Sequence, residues 1–352
     1  MRRFGKWTSR EQGAIMLNSQ IRTTIVGSYP IPDWLKSHPN EETLIDAMTV
    51  VMRAQEVAGI DVISDGEIGR WDLDRNAPGG MVDRFIRPMT GVQSDLTRAQ
   101  LEEFQARSDM AYRKEPAGIV AGPLGDGMLN LKCDWERAQE VTQYPLKFTV
   151  TSPYMLAKVV YNNYYTSFQE LVMSFAEILS RQLKGISAAV VQVDESNLPG
   201  SPQDSGIAAD AINRVLDPVT GEKAVHLCFG NDSGQTIQQG DYDHLIDFMN
   251  ALRCDHLVLE TTRRPPDELR RLREVKSEIR FGVGVIDVKD LQIERPERVA
   301  QRIEVLAETL GEGRLAYVHP DCGLHMLPRV VAAGKLRALV AGRNLYLGRQ
   351  KS

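Results

Sequence analysis

Short apolar runs alternate with amphipathic segments along most of the chain. Runs rich in Val, Ile and Leu predict buried strands, and apolar residues spaced three or four apart predict helices. The first unit has a strand from Thr23, a helix over Glu41–Ala58 that stops at Gly59, and a second strand from Asp61. Strand, helix and strand at this spacing predict a parallel βα unit.

The same alternation resumes after one interruption. Residues 73–145 contain a Pro/Gly cluster at 78–80 and predict an insertion with helix and hairpin content of its own. Outside it, eight strands are predicted, beginning at residues 23, 61, 148, 188, 223, 256, 281 and 315. Later helices are predicted at 167–183, 205–215, 242–252, 265–276 and 296–310. This order predicts a (β/α)8 TIM barrel with an insertion after the second strand.

The length of 352 residues suits one large barrel domain over 21–352, preceded by an arm at 1–20. No apolar run approaches the roughly 18 residues that span a bilayer, and no secretory signal is recognisable, so we expect no membrane partner. A net charge of −5 without a basic block argues against nucleic-acid binding. Four cysteines are too few for a disulfide framework, which favours a reducing, cytoplasmic location.

Polar residues gather at the predicted carboxyl ends of the strands, where barrel enzymes place their chemistry. In chain order these are Ser28, Asp65, Glu67, Asp194, Glu195, His226, Cys228, Glu260, Asp287, Asp321 and Cys322. The pattern therefore predicts a pocket at this end of the barrel.

His226 and Cys228 lie two apart on one strand, so both side chains face the same side. Neutral imidazole and thiolate are ligands that zinc prefers, and the later strand ends add Glu260 and Cys322. We predict that these four residues bind one zinc ion that binds and ionises a substrate thiol. A buried core His and Cys, or a purely structural zinc, are the alternatives.

Seven motifs at the strand ends resemble the catalytic barrel of cobalamin-independent methionine synthase. This superfamily also contains uroporphyrinogen decarboxylase and the epoxyalkane:coenzyme M transferases. The motifs are Val26–Pro30, Asp65–Glu67, Gln192–Glu195, His226–Cys228, Leu259–Thr261, Gly282–Asp287 and Pro320–Leu324, and they recur in family order over about residues 22–330. The resemblance implies the same zinc ligands.

The resemblance also implies that Ser28, Glu67 and Asp194 hold the amino-acid part of a homocysteine-like thiol, and Asp65 is a further candidate at the same strand end as Glu67. Carboxylates suit an ammonium group, and hydroxyl or backbone donors suit a carboxylate. The family has a histidine after its seventh strand that protonates the leaving nitrogen of the donor. Here Asp287 is followed by Lys289 at that place, so this pair is the candidate for catalysis.

The expected function is a zinc-dependent thiol methyltransferase, and its donor is a folate, a corrinoid protein or another carrier. Methionine synthase has a second, N-terminal barrel that helps to retain folate, and short forms without it resemble enzymes that use a corrinoid protein or another carrier. The alternatives are a zinc-dependent transferase that opens an epoxide or another electrophile, a decarboxylase of the uroporphyrinogen type, and a zinc-storage protein without catalysis.

Overall fold

The computed structural model describes residues 21–107, 113–230 and 237–348, and the predicted arm at 1–20 lies outside them. Its strands are β1 (Arg22–Thr23), β2 (Ile63–Ser64), β3 (Trp71–Asp72), β4 (Ala77–Pro78), β5 (Thr90–Gln93), β6 (Ile119–Gly125), β7 (Leu146–Thr151), β8 (Tyr161–Asn162), β9 (Val190–Glu195), β10 (Glu222–Leu227), β11 (His256–Leu259), β12 (Arg280–Ile286) and β13 (Leu315–Pro320). Its helices are α1 (Asp33–Ser37), α2 (Glu41–Ala58), α3 (Asp83–Ile86), α4 (Arg98–Gln105), α5 (Leu131–Val141), α6 (Pro153–Lys158), α7 (Phe168–Gln182), α8 (Ser205–Leu216), α9 (Ile246–Ala251), α10 (Pro266–Arg271), α11 (Pro296–Leu310) and α12 (Arg329–Tyr346).

Eight of the strands form one parallel sheet in the order β1-β13-β12-β11-β10-β9-β7-β2. A parallel bridge between Thr24 and Val62 joins the residues beside β1 and β2, so the sheet closes on itself. The predicted eight-stranded barrel is confirmed. In the register of this sheet, His226 of β10 lies opposite Asp194 of the neighbouring parallel strand β9.

Apolar residues fill both faces of the barrel strands. Val62, Val190, Ala224, Val258 and Tyr317 belong to a separate buried cluster, while the main core lies between strands and helices. Strands covered on both faces are typical of parallel sheets, which explains their nearly continuous apolar sequences. The helices bury one stripe each, as the three- and four-residue spacing predicts.

Helix α2 shows how local sequence sets an element. Asn40 caps its first turn by accepting a hydrogen bond from the Thr43 backbone N–H, and the Thr43 hydroxyl accepts one from the Asn40 backbone N–H. Gly59 ends the helix in the left-handed conformation at φ 83°. The observed bounds, Glu41–Ala58, are the predicted ones.

Between β2 and β7 the chain forms two small sheets and three helices. β3 and β4 pair as an antiparallel hairpin, while β5, β6 and β8 form a three-stranded sheet. β8 follows β7 in sequence, so the three-stranded sheet includes one strand from beyond the insertion predicted at 73–145.

Two predicted helices are shorter than the sequence suggests. The segment 242–252 begins as a 3-10 turn over Asp243–Leu245, and only Ile246–Ala251 is α-helical. The segment 265–276 likewise forms an α-helix only over Pro266–Arg271. In the described part of the chain, every helix is too short or too polar to cross a lipid bilayer.

Candidate metal centre

A cavity of about 290 Å³ opens at the carboxyl ends of the barrel strands. Its polar lining includes Ser28, Glu67, Asp194, His226, Cys228 and Cys322, and its apolar lining includes Tyr29, Ile31, Ile68, Trp71, Met81, Met155 and Ile237. This volume is close to the lower limit of small-molecule sites, roughly 300 Å³. The cavity therefore combines a ligand-rich set of polar residues with apolar side chains.

Three metal-ligating side chains meet in this cavity. The ligand atoms of His226, Cys228 and Cys322 lie within 4.8 Å of one another. The imidazole Nε2 of His226 is buried and accepts no hydrogen bond from the described residues, 21–107, 113–230 and 237–348. A buried ring nitrogen is costly without a partner, and a cation among two sulfurs and this nitrogen satisfies it. The residues therefore fit a zinc ion.

The two thiols influence each other's ionisation. The pKa of the Cys322 thiol is lowered because Cys228 donates a hydrogen bond to its sulfur. The same contact, together with burial, raises the pKa of Cys228 well above its ordinary value. Two sulfurs that share a proton in this way release it when a cation binds, since the thiolate is the metal ligand.

Asp194 holds the imidazole in place. Its Oδ1 lies 3.1 Å from His226 Nδ1, and both side chains are buried. Burial opposes the charged imidazole, but the hydrogen bond and charge of Asp194 outweigh it and raise the pKa of His226. Histidine ligands of zinc commonly donate their second ring nitrogen to a carboxylate in this manner.

Glu260, the fourth predicted ligand, lies just beyond β11 and is held by other groups. Its Oε1 accepts a hydrogen bond from Lys289 Nζ at 2.9 Å, and its Oε2 lies 3.5 Å from the Phe229 backbone nitrogen. The side chains of Glu260 and Lys289 are 4% and 3% exposed. Glu260 is therefore adjacent to the three-residue cluster but outside its 4.8 Å limit.

The turn that carries Cys322 is tied to the turn after Glu260. Asp321 Oδ1 accepts hydrogen bonds from the backbone nitrogens of Thr261 at 2.9 Å and Thr262 at 3.1 Å. A Cβ at Gly284 would overlap this carboxylate, so only glycine allows the approach. The structure thus links the two loops that follow Glu260 and carry Cys322.

Glu67 and Asp194 both reach the cavity. Burial raises the pKa of Glu67; Arg70 opposes this effect, while the nearby charges of Asp194 and Asp65 add to it. A cationic group between Glu67 and Asp194 would relieve this repulsion. Glu67 itself has φ 59°, an uncommon value for a residue other than glycine, and such strain often accompanies functional positions.

Ser28 contacts the far side of the same site. Its Oγ lies 2.9 Å from His325 Nδ1, and its backbone carbonyl accepts a hydrogen bond from Leu324. A Cβ at Gly323 would overlap the Ser28 hydroxyl, so the Cys322 turn packs directly on it.

Three other residues that were predicted to bind substrate or to act in catalysis do not line the cavity. Asp65 does not line the cavity; its carboxylate accepts hydrogen bonds from the backbone nitrogens of Glu67 and Gly69 and so stabilises that turn. Asp287 pairs with Arg263 at 2.8 Å, outside the cavity. Lys289 also lies behind Glu260 rather than on the cavity wall.

Three polar residues near the site were given no role by the sequence pattern. Arg70 lines the cavity, bonds to Thr149 and lies 3.2 Å from Glu67 Oε2. Lys147 and Gln192 lie inside the barrel below Asp194. The available signal was a long polar residue with an apolar residue on each side, Lys147 in β7 and Gln192 in β9.

A larger groove of about 730 Å³ lies on the outer side of the barrel, between helices α10 and α11. Its lining includes Thr261 and Asp287 but neither of the cluster's thiols. We assign the chemistry to the smaller cavity, since it alone of the two contains the ligand cluster.

Known proteins match nearly the whole chain. The sequence profile of the family described as "Cobalamin-independent synthase, Catalytic domain" matches residues 21–343. A protein named methionine synthase from Thermococcus kodakarensis is 30% identical over 338 residues, 92% of each chain. A protein of the same name from Sulfolobus acidocaldarius is 30% identical over 337 residues, 92% of this chain and 91% of its own.

A solved structure gives the same architecture. It is a B12-independent methionine synthase from Shewanella sp. W3-18-1 in complex with selenomethionine, with a TM-score of 0.76 and 23% identity. The match covers 94% of this chain and 98% of that one. At this identity the comparison establishes the shared barrel fold.

Proposed function

Because this chain belongs to the family of cobalamin-independent synthase catalytic domains, we propose that it is a zinc-dependent thiol methyltransferase. Its acceptor is homocysteine or a similar small thiol amino acid. The observation that carries the proposal is the buried Nε2 of His226, which lies beside two thiols and has no partner among the described residues. Methionine synthases are similar over the same span, which supports the acceptor.

His226, Cys228 and Cys322 would hold the zinc ion, with Glu260 as the fourth ligand. A zinc ion bound there lowers the pKa of a substrate thiol, so that the thiolate accepts the methyl group. Asp194 keeps a proton on His226 Nδ1 and leaves Nε2 for the metal. Lys289 Nζ, which lies 2.9 Å from Glu260 Oε1, would hold this carboxylate if a substrate thiol took its place on the metal.

The rest of the cavity orients the substrate. Glu67 and Asp194 bind its ammonium group, and Ser28 binds its carboxylate. The apolar lining, which includes Trp71 and Met155, excludes water from the reacting sulfur and faces the methyl donor. In this proposal Lys289 acts on Glu260 rather than as the proton donor to the leaving group, since it lies behind the cavity wall.

The test is a measurement of zinc content and product formation on protein purified without chelators. We expect about one zinc per chain, and we expect methionine from homocysteine when a methylated folate or methylcobalamin is supplied. Cys322→Ser should lose both. The matched control is Cys254→Ser, because Cys254 is also a free thiol but lies outside the ligand cluster.

A zinc-free wild-type protein that nevertheless produces methionine would refute the metal assignment. Full activity of Cys322→Ser would refute the site. Opening of an epoxide by a thiol needs the same metal site, and the same assay with an epoxide in place of the methyl donor distinguishes it. A decarboxylase would leave the cluster of two thiols and one imidazole without a role.

A further inference from the structure

Strand β7 places a lysine inside the barrel, below the candidate site. Lys147 is 2% exposed, and its Nζ donates hydrogen bonds to the Ile25 carbonyl at 2.9 Å and to Gln192 Oε1 at 2.8 Å. Burial lowers the pKa of this lysine to about 7. An apolar side chain of similar length would pack here without the cost of burying an amine. The presence of a lysine at this buried position therefore needs an explanation other than packing.

Gln192 connects this lysine to the site. Its Nε2 donates to Asp194 Oδ1 at 2.7 Å and to the Val26 carbonyl at 2.8 Å. An amide side chain has one accepting and one donating end. Lys147 Nζ donates to the amide oxygen of Gln192 at 2.8 Å, and this contact holds that oxygen toward Lys147. The donating end then faces the Asp194 carboxylate, which only accepts.

Asp194 passes this orientation to a metal ligand. The Oδ1 atom that receives the Gln192 amide is also 3.1 Å from His226 Nδ1. With Nδ1 as donor, Nε2 carries the lone pair, and Nε2 is the ring nitrogen without a described partner. Three buried contacts thus join Lys147 to His226.

We propose that Lys147 is a positioning residue for His226: through the Gln192 amide it fixes the Asp194 carboxylate and thereby the tautomer and direction of the imidazole. Without Lys147 the Gln192 oxygen loses its buried donor, and the amide can shift so that its Nε2 no longer holds the Asp194 carboxylate beside His226 Nδ1. This inference rests on the proposed metal site, but its tautomer component is independent of metal.

The experiment compares Lys147→Met with Lys335→Met. Lys335 is equally buried and also donates to a carbonyl, that of Gln292, but it lies on α12 and pairs with Glu294. Zinc affinity is measured by competition with a chromophoric chelator, and the tautomer of His226 by nitrogen-15 NMR of the metal-free protein. The His226→Gln variant assigns its signal among the six histidines of the chain.

We expect Lys147→Met to bind zinc about 10- to 100-fold more weakly, the usual effect of losing an outer-shell partner. At a pH where the ring is neutral, its metal-free His226 should show a mixture of tautomers, while the wild type shows the Nδ1–H form. Lys335→Met should match the wild type in both measurements. Wild-type affinity and an unchanged tautomer in folded Lys147→Met would overturn the proposal.

A double variant tests whether Lys147 acts through Gln192 and guards against a misfolded single variant. Gln192→Met should reproduce the zinc loss, and Lys147→Met/Gln192→Met should be no weaker than Gln192→Met alone. Additive losses would show a separate action of Lys147 and refute the relay. If the wild type binds no zinc at all, the proposed function fails, while the NMR comparison still decides the relay.

Discussion

The barrel pairs a buried histidine with a carboxylate at each of its ends. His226 lies 3.1 Å from Asp194 at the carboxyl end, and His256 lies 3.0 Å from Glu222 at the amino end. Strand β10 begins with Glu222 and presents His226 four residues later, about 13 Å away at 3.3 Å per residue.

The surroundings of the two pairs differ. Glu222 also pairs with Arg22 at 2.6 Å and accepts the Tyr317 hydroxyl at 2.8 Å. The His256 ring packs on Tyr317, and the Arg22 guanidinium lies over the same Tyr317 ring, 4.2 Å from its centroid. At the opposite end, His226 faces a cavity and two thiols instead.

The comparison shows that a buried histidine with a carboxylate partner is not by itself a metal site. At the amino end His256 Nε2 also lacks a hydrogen-bond partner among the described residues, but its neighbours are Arg22, Glu222 and Tyr317 instead of two thiols. At the carboxyl end the cavity leaves Nε2 and both sulfurs accessible to an added ion. Replacing the histidine should therefore affect zinc binding at the carboxyl end and the stability of the fold at the amino end.

The largest expected effect comes from replacing each of the two histidines separately. His226→Gln removes a metal ligand and should weaken zinc binding by at least about 100-fold, given the 10–16 kcal/mol that several ligands supply together. His256→Gln should leave zinc binding unchanged and lower the stability to urea by about 2 kcal/mol, because it breaks a buried polar cluster. Chelator competition and urea denaturation measure the two quantities.

A loss of zinc in His256→Gln equal to that in His226→Gln would abolish the distinction. Because either substitution could disturb folding, the circular dichroism of both variants serves as the control.

Acid should affect the amino-end cluster through Glu222. Burial alone would raise its pKa, but the hydrogen bond and charge of His256, together with Arg22, lower it to about 2 from 4.5. The folded-state pKa is depressed, so this stability is present above pH 4.5 and is lost as the pH falls from 4.5 toward 2. The loss should be about 3 kcal/mol.

The measurement is urea unfolding of wild type and Glu222→Gln across that pH range. The wild type should lose its advantage over the variant as the pH falls. A constant difference between the two proteins would contradict the assignment to Glu222.

Lys289→Met should have a smaller effect, on substrate rather than on metal. When the thiol displaces Glu260, this carboxylate would remain buried without the ammonium that now lies 2.9 Å away. We expect thiol affinity to fall about 10-fold and zinc affinity to be retained, since Glu260 then stays on the metal. Calorimetric titration of the zinc-loaded protein with homocysteine gives the first value.

Lys289→Arg is the control for the Lys289 prediction, because it preserves the positive charge beside Glu260. Equal thiol affinity in the Met and Arg variants would exclude the counter-ion role.

The smallest predicted effect concerns Gly27. A Cβ there would overlap Glu67 Oε1, so Gly27→Ala should push the carboxylate aside. The loss of one well-placed ionic contact should weaken the binding of homocysteine by about 5-fold, with no change in zinc affinity. Comparison with 2-mercaptoethanol, which has no ammonium group, isolates this contact, because its binding should be unaffected. Equal weakening for both thiols would contradict the role of Glu67.

Much of the fold could be predicted from the sequence, because period-two strands and amphipathic helices are local patterns. The bounds of α2 and α11 are the predicted ones. The predicted helices 242–252 and 265–276 are longer than α9 and α10, because each includes a flanking 3-10 turn, Asp243–Leu245 and Leu272–Glu274 respectively. In a parallel barrel, strand parity also sufficed to place His226 and Cys228 together.

The partners of the acidic groups could not be predicted in this way. Asp65 and Glu67 are two residues apart, yet one stabilises a turn and the other reaches the cavity. The left-handed backbone at Gly66 and Glu67 breaks the strand period, and local sequence does not show where the turn then directs each carboxylate.

The sequence by itself determined an eight-stranded barrel and the types of ligand at its strand ends, because both follow from the order of residues along single strands. Only the tertiary structure decided that Lys289 donates a hydrogen bond to Glu260 and that Asp321 links the Cys322 turn to Thr261. It also decided that Lys147 is connected to Asp194 through Gln192. These contacts join residues of separate strands and loops. They exist only once the sheet has closed, when each buried polar group must find its partner among whatever side chains the closure brings within reach.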